Sequence, residues 1–217
     1  MSTLSWVLNK AILVSTSFLI GSFYVHWLAD HPLIWQGPSV PPPAVAASLR
    51  YYSHIYHAPP LYVTTLTSTA GVALASAGIK LILNPVSGLL FDGATLLLLI
   101  SALSVYSANV LAALRYLPLD HLKPGSPALQ ALEKTSGGLG SALHNLGEVR
   151  LVEALQSVAA SHMIIAVSLT GVLALQGAQG WADRVSPSSS DPVSTTPPST
   201  SASAPVTKEK VLEKKSL

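Results

Sequence analysis

The sequence predicts an all-α integral membrane protein, with four transmembrane helices in a compact bundle and a disordered polar C-terminal tail. Three observations carry this. Of 217 residues, 49% are hydrophobic and 10% are charged, whereas a soluble domain is about a quarter charged. Residues 11–29, 61–83, 89–114 and 155–176 are apolar stretches, each long enough for a helix to cross a hydrocarbon core of about 30 Å. None of them holds Asp, Glu, Lys or Arg near its middle, where a charge is most costly. The mean hydropathy of +0.48 understates the membrane part, because a Ser/Pro/Lys-rich segment dilutes it. The chain therefore divides into a membrane domain, residues 1–181, and a tail, residues 182–217.

The first span follows Lys10 and ends in "FYVHWLADHP". A cleavable signal peptide has a shorter apolar core and a small-x-small cleavage site. Neither is present, and the reading is a retained signal anchor. The connection from Asp30 to Pro60 holds "GPSVPPP", read as non-helical, and "SLRYYSHIYHAPP", whose Tyr and His suit a membrane interface. Spans two and three are joined by "NPVSG", too short for anything but an antiparallel hairpin. In "GLLFDGATLLLLI", Asp92 and Gly93 stand where span three begins. There a carboxylate can cap the free backbone amides and complement the positive helix end. Lys80, near the end of span two, can snorkel. The connection from Arg115 to Ala154 carries Pro-Gly and Gly-Gly breakers, after which "EVRLVEALQ" runs into span four. Beyond Trp181, "SPSSSDPVSTTPPSTSASAP" has too few apolar residues to offset its ordering entropy.

Small residues recur at helical spacing within the spans: Ser68, Gly71, Ala75 and Gly78 in span two; Ser101, Ser104 and Ala108 in span three; Ser157, Ser161, Ser168 and Gly171 in span four. Helices in lipid associate by close backbone approach and interhelical hydrogen bonds, which small residues permit. The stripes either pack on one another or receive the helices of another protein.

Several function classes lose support. A net charge of +2, scattered over loops and the far terminus, forms no basic groove, so nucleic acid is not expected. No cysteine is present, which removes thiol catalysis and Cys-type metal sites. The seven histidines do not cluster with carboxylates in any span; His54 and His57 stand beside Tyr51, Tyr52 and Tyr56 as interface residues would. His162, well inside span four, has no carboxylate within a span as a relay partner. No G-x-S-x-G occurs, and "SGGLGSAL" lacks the strand and the Gly-Lys-Ser ending of a phosphate loop. Neither catalysis nor a cofactor nor a metal is expected.

Lysines on either side of the spans leave orientation open by charge. The segment "KEKVLEKKSL" places Lys214 and Lys215 in a dilysine retrieval pattern, which coat proteins read from the cytosol. That pattern sets the N-terminus, "NPVSG" and the tail in the cytosol, and both long loops in the ER lumen.

"FLIGSFYVHWLADHPLIW", "LRYYSHIYHAPP" and "LLFDGATLLLLISALSVYSANVLAAL", with Tyr106 and Asn109 near the exit of span three, resemble the fungal ER membrane chaperones that package amino acid permeases. The resemblance covers residues 11 to 175 and leaves the tail unmatched. It implies a non-enzymatic chaperone of the ER membrane that prevents aggregation of amino acid permeases and other polytopic clients and promotes their loading into transport vesicles. It further implies contact of the tail with the exit and retrieval coats, beside contact of the spans with lipid. The alternative from residues alone is a small transporter, channel subunit or lipid-modifying enzyme whose His26, His162 and Asn109 line a site.

Overall fold

A computed structural model describes residues 3–35, 40–83, 89–123, 125–127, 130 and 148–185. Helix α1 spans Thr3–Trp35, α2 Pro42–Tyr56, α3 Pro60–Leu83 and α4 Leu89–Val105. A π turn, Tyr106–Val110, joins α4 to α5, Leu111–Leu114. A 3-10 turn at Leu119–His121 follows, and α6 covers Glu148–Val185. The described residues hold helices and turns and no strand.

Four of these helical stretches are long and apolar enough to cross a membrane: Thr3–Trp35, Pro60–Leu83, Leu89–Leu114 and Arg150–Ala182. Helix α1, with 33 residues, is about 50 Å long at 1.5 Å per residue and so outreaches the hydrocarbon layer. It begins before Lys10 and carries Pro32 in its last turn. There a ring without an N–H removes one hydrogen bond just before the helix ends. Helix α6 is longer still and continues past Trp181 to Val185.

The reading of "GPSVPPP" as non-helical is corrected in its second half. Pro42 and Pro43 occupy the first helical positions of α2, with Pro41 as the extended N-cap residue. A proline at a helix start gives up only an amide that has no intrahelical partner.

The spans form a ring. Helix α1 packs on α3 and α6, and α4 packs on the same two, so α1 and α4 lie on one diagonal and α3 and α6 on the other. Their inner faces interleave Ile12 and Leu19 of α1, Ala73 and Ala77 of α3, Leu99 and Ala102 of α4, and Leu155, Val158, Leu169 and Val172 of α6. The outer surface is as apolar as the inner one: Phe18, Val72, Ile82, Leu97, Ile100 and Val167 are all exposed. That outer surface suits lipid, in which backbone polar groups must be satisfied within each helix. At one end of the ring, α2 lies against α1, α6 and the 3-10 turn. It buries Val45, Leu49 and Tyr52.

Candidate functional site

The buried charged and amide side chains among the described residues fall into two clusters near the opposite ends of the bundle. The first joins α3, α4 and α6. Lys80 Nζ lies 2.8 Å from Asp92 Oδ1, and both side chains are 1% exposed. The same ammonium donates to Gln176 Oε1 at 2.9 Å and to Gln179 Oε1 at 2.5 Å. Gln176 Nε2 in turn donates to Thr95 Oγ1 at 2.8 Å. Lys80 thus reaches across the diagonal of the ring and ties α3 to α6. Removing one partner from a buried ion pair costs about 3–5 kcal/mol, because a charge is left without a counterpart.

This corrects two expectations. Lys80 does not snorkel; it is turned inward. Asp92 and Gly93 do not cap span three: both lie inside α4, which begins by Leu89, and the carboxylate is engaged by Lys80, Gln176 and Gln179. Gly93 has only ordinary contact at its Cβ position, 3.8 Å from Leu89. A signal for the pair was present in the sequence. Lys80 and Asp92 are each six residues from Val86, so a tight antiparallel hairpin sets them at one level.

The second cluster joins α1, α2 and α6. Asp30 is fully buried. One carboxylate oxygen accepts from the Tyr52 hydroxyl, and the other lies 2.7 Å from His162 Nδ1. His26 stacks on His162 with ring centroids 4.7 Å apart, and its Nδ1 is 3.0 Å from the Tyr51 hydroxyl. Ser48 donates to the Ala29 carbonyl at 2.7 Å. Burial first, then the neighbouring Asp30, pushes the Tyr52 phenol above its ordinary range, so it remains a donor. His162 therefore has a carboxylate partner after all, because α1 extends beyond Ala29 and carries Asp30 into the bundle. Tyr51 and Tyr52 turn inward instead of forming an interface girdle, while His54 and Tyr56 are exposed as expected. Tyr56 donates to Asp120 at 2.9 Å. Ser53 donates to the Leu122 carbonyl, which fastens α2 to the 3-10 turn.

His26 and His162, which a transport reading would set along a path, are consumed by these contacts. Among the described residues no group of three or more His, Cys, Asp or Glu is placed to hold a metal ion.

The small-residue stripes divide. On α3 the buried face is Ala73, Ser76, Ala77 and Lys80. Ser68, Gly71 and Ala75 are exposed and Gly78 is half-exposed, on the opposite side. On α4 and the π turn, Ser101, Ser104 and Ala108 are likewise exposed. A Cβ at Gly71 or Gly78 would meet nothing within 4 Å. The α6 stripe is different: Ser161 is buried, Ser157 is exposed, Ser168 and Gly171 are half-buried. A Cβ at Gly171 would come 3.0 Å from Leu98 of α4. Packing within the bundle accounts for Ser161 and Gly171 of the α6 stripe and leaves the stripes of α3 and α4 facing outward. Lys214 and Lys215, the tail from residue 186, "NPVSG" and "SGGLGSAL" lie outside the described residues.

Four apolar spans, with Lys80 paired to Asp92 and His162 to Asp30 inside the bundle, define a polytopic helical membrane protein. The chain belongs to the SHR3 chaperone family: the family model described as "ER membrane protein SH3" matches residues 3–215. It is an ER membrane chaperone for the packaging of amino acid permeases, and the family is one of chaperones, not of enzymes. No curated protein and no solved structure matched the chain.

Proposed function

We propose that the outward stripes of α3 and α4 form the surface on which client helices are held. The carrying observation is the exposure of Ser68, Gly71 and Ala75 on α3, of Ser101 and Ser104 on α4 and of Ala108 in the π turn. A newly inserted permease has helices whose small and polar faces lack their final partners, and such faces associate with whatever is nearest. A wall of small residues lets a helix backbone come close, so the client is covered without a tight pocket. It leaves when its own helices offer better packing. The chaperone acts through binding alone and performs no chemistry on the client.

In this reading the termini and the α3–α4 connection face the cytosol. The second polar cluster and α2 then lie at the lumenal side. The tail meets the exit coat during packaging, and Lys214 and Lys215 meet the retrieval coat afterwards. Clients extend beyond amino acid permeases to other polytopic proteins with similar faces, and the remaining outer surface meets lipid.

A photocrosslinking residue placed singly at Ser68, Ser101 or Val14 of the full chain, during permease synthesis in ER membranes, tests the surface. Adducts are expected from the first two positions and not from Val14 on α1. Equal adducts from all three would remove the assignment to α3 and α4.

A further inference from the structure

Many hydroxyl groups on the lipid-facing surfaces are satisfied by their own helices. Thr64, Thr65, Thr67 and Thr69 each donate to the carbonyl four residues earlier, at 2.8–2.9 Å. Ser168 and Thr170 do the same. Such bonds let a hydroxyl lie in hydrocarbon. Ser68, Ser101 and Ser104 have no such bond among the described residues, and Asn109 joins them. It is exposed, and among the described residues its amide has no hydrogen-bond partner. It also sits in the π turn Tyr106–Val110, the one break in the regular ladder of span three. Turns of this kind are rare and concentrate at functional positions.

Asn109 lies five residues before Leu114, the last residue of α5, or about 7.5 Å inside the helix end. Exposed Arg115 and Tyr116 follow, residue types suited to the membrane interface. At the depth of Asn109, acyl chains offer neither donor nor acceptor, so an amide with two N–H groups and a carbonyl stays unpaired until a polar group comes to it. Its neighbours Ser104 and Ala108 are small and exposed, which admits the backbone of another helix.

We infer that the π turn is the hydrogen-bonding station of the client surface, where Asn109 pairs with an amide or hydroxyl side chain of a client transmembrane helix. This rests on the reading that the outer face of α3 and α4 receives clients. It adds a chemical preference: helices whose Asn, Gln, Ser or Thr side chains still lack partners are held longer than purely apolar ones. The π turn presents the amide outward, and the stripe beside it sets how near the client backbone can come. Permease helices carry such side chains until their own partners are synthesised, which gives the station an occupant during that interval. The station empties when the client pairs internally.

The test uses the full chain in ER membranes with a photocrosslinker at Ala108, comparing Asn109, Asn109→Leu and Asn109→Gln. Asn109→Leu is expected to lower permease adducts about threefold to thirtyfold, the range that one interhelical hydrogen bond supports in a bilayer. Chaperone abundance should be unchanged, since the amide makes no internal contact, and Asn109→Gln should retain most of the adduct. Wild-type adduct yield from Asn109→Leu would overturn the inference and leave an amide that is merely hydrated. Adducts consisting of a second copy of the chain would overturn it too. If Asn109→Leu lowers abundance, Asn109→Ser gives the comparison at normal abundance; a wild-type yield there again overturns it. Gly71→Leu and Ser101→Leu separate the two readings. If they block adducts and Asn109→Leu does not, the surface stands and the station falls. If all three leave adducts and permease exit intact, the surface itself falls.

Discussion

The ammonium of Lys80 sits 2.8 Å from the carboxylate of Asp92 with both side chains withdrawn from the surface, and two glutamines of α6 complete the arrangement. A polar knot inside an apolar bundle makes the fold depend on pairing more than on hydrophobicity, because lipid solvates apolar helices as well as the bundle does.

Lys80→Met alone should therefore lower stability by about 3–5 kcal/mol, by leaving Asp92 without its counter-charge. Adding Asp92→Leu should restore much of the loss, since an apolar pair carries no desolvation penalty. Thermal aggregation of the detergent-solubilised protein reads both. A double variant as unstable as the single one would show that the pair is not the unit of stability.

At the opposite end, Asp30→Asn should loosen α2 from α1 and α6. The Tyr52 hydroxyl and His162 would share a neutral partner in place of a charged one, and a hydrogen bond to a charged group contributes about 1.5–3 kcal/mol. Labelling of a cysteine introduced at Val45, on the buried face of α2, should speed up in the variant. An unchanged labelling rate would mean that apolar contacts alone hold α2.

The two glycine environments predict opposite outcomes. Gly171→Leu drives a side chain into Leu98 from a Cβ already 3.0 Å away, and such overpacking typically costs about 1–3 kcal/mol. Gly78→Leu meets open space, so the protein should keep its melting behaviour while permease exit falls. Equal melting losses at both positions would contradict the outward placement of the α3 stripe.

Replacing Lys214 and Lys215 with Ser should allow escape to the Golgi, detected by fractionation of cell membranes. A protease-protection assay on a tag after Leu217 should show cleavage from the cytosolic side. A protected tag would reverse the orientation proposed here, and with it the retrieval role of the lysine pair.

The spans were legible because a bilayer imposes a length and a polarity that composition alone can meet or fail. The partners inside the bundle were harder to read. Asp92 looked like a cap because a helix considered by itself offers a carboxylate only its own amides; its true partner becomes visible once α3 and α4 are packed against each other. No spacing links Asp30 to His162, which are 132 residues apart and come together only because α1 outruns the apolar stretch. The π turn had no signal in the sequence, since its residues are ordinary helix formers. The direction of the stripes was likewise hidden: spacing shows that small residues share a face but not which way that face points, and in lipid the outer face is no more polar than the inner one.

The glutamine that closes the Lys80–Asp92 knot lies 84 residues beyond the aspartate. During synthesis, then, the hairpin of α3 and α4 enters the bilayer with its charge pair still short of the neutral groups that will cradle it. A protein that shelters others through an unfinished stage of insertion passes through the same stage itself. Until α6 arrives, its own hairpin is in the condition of a client.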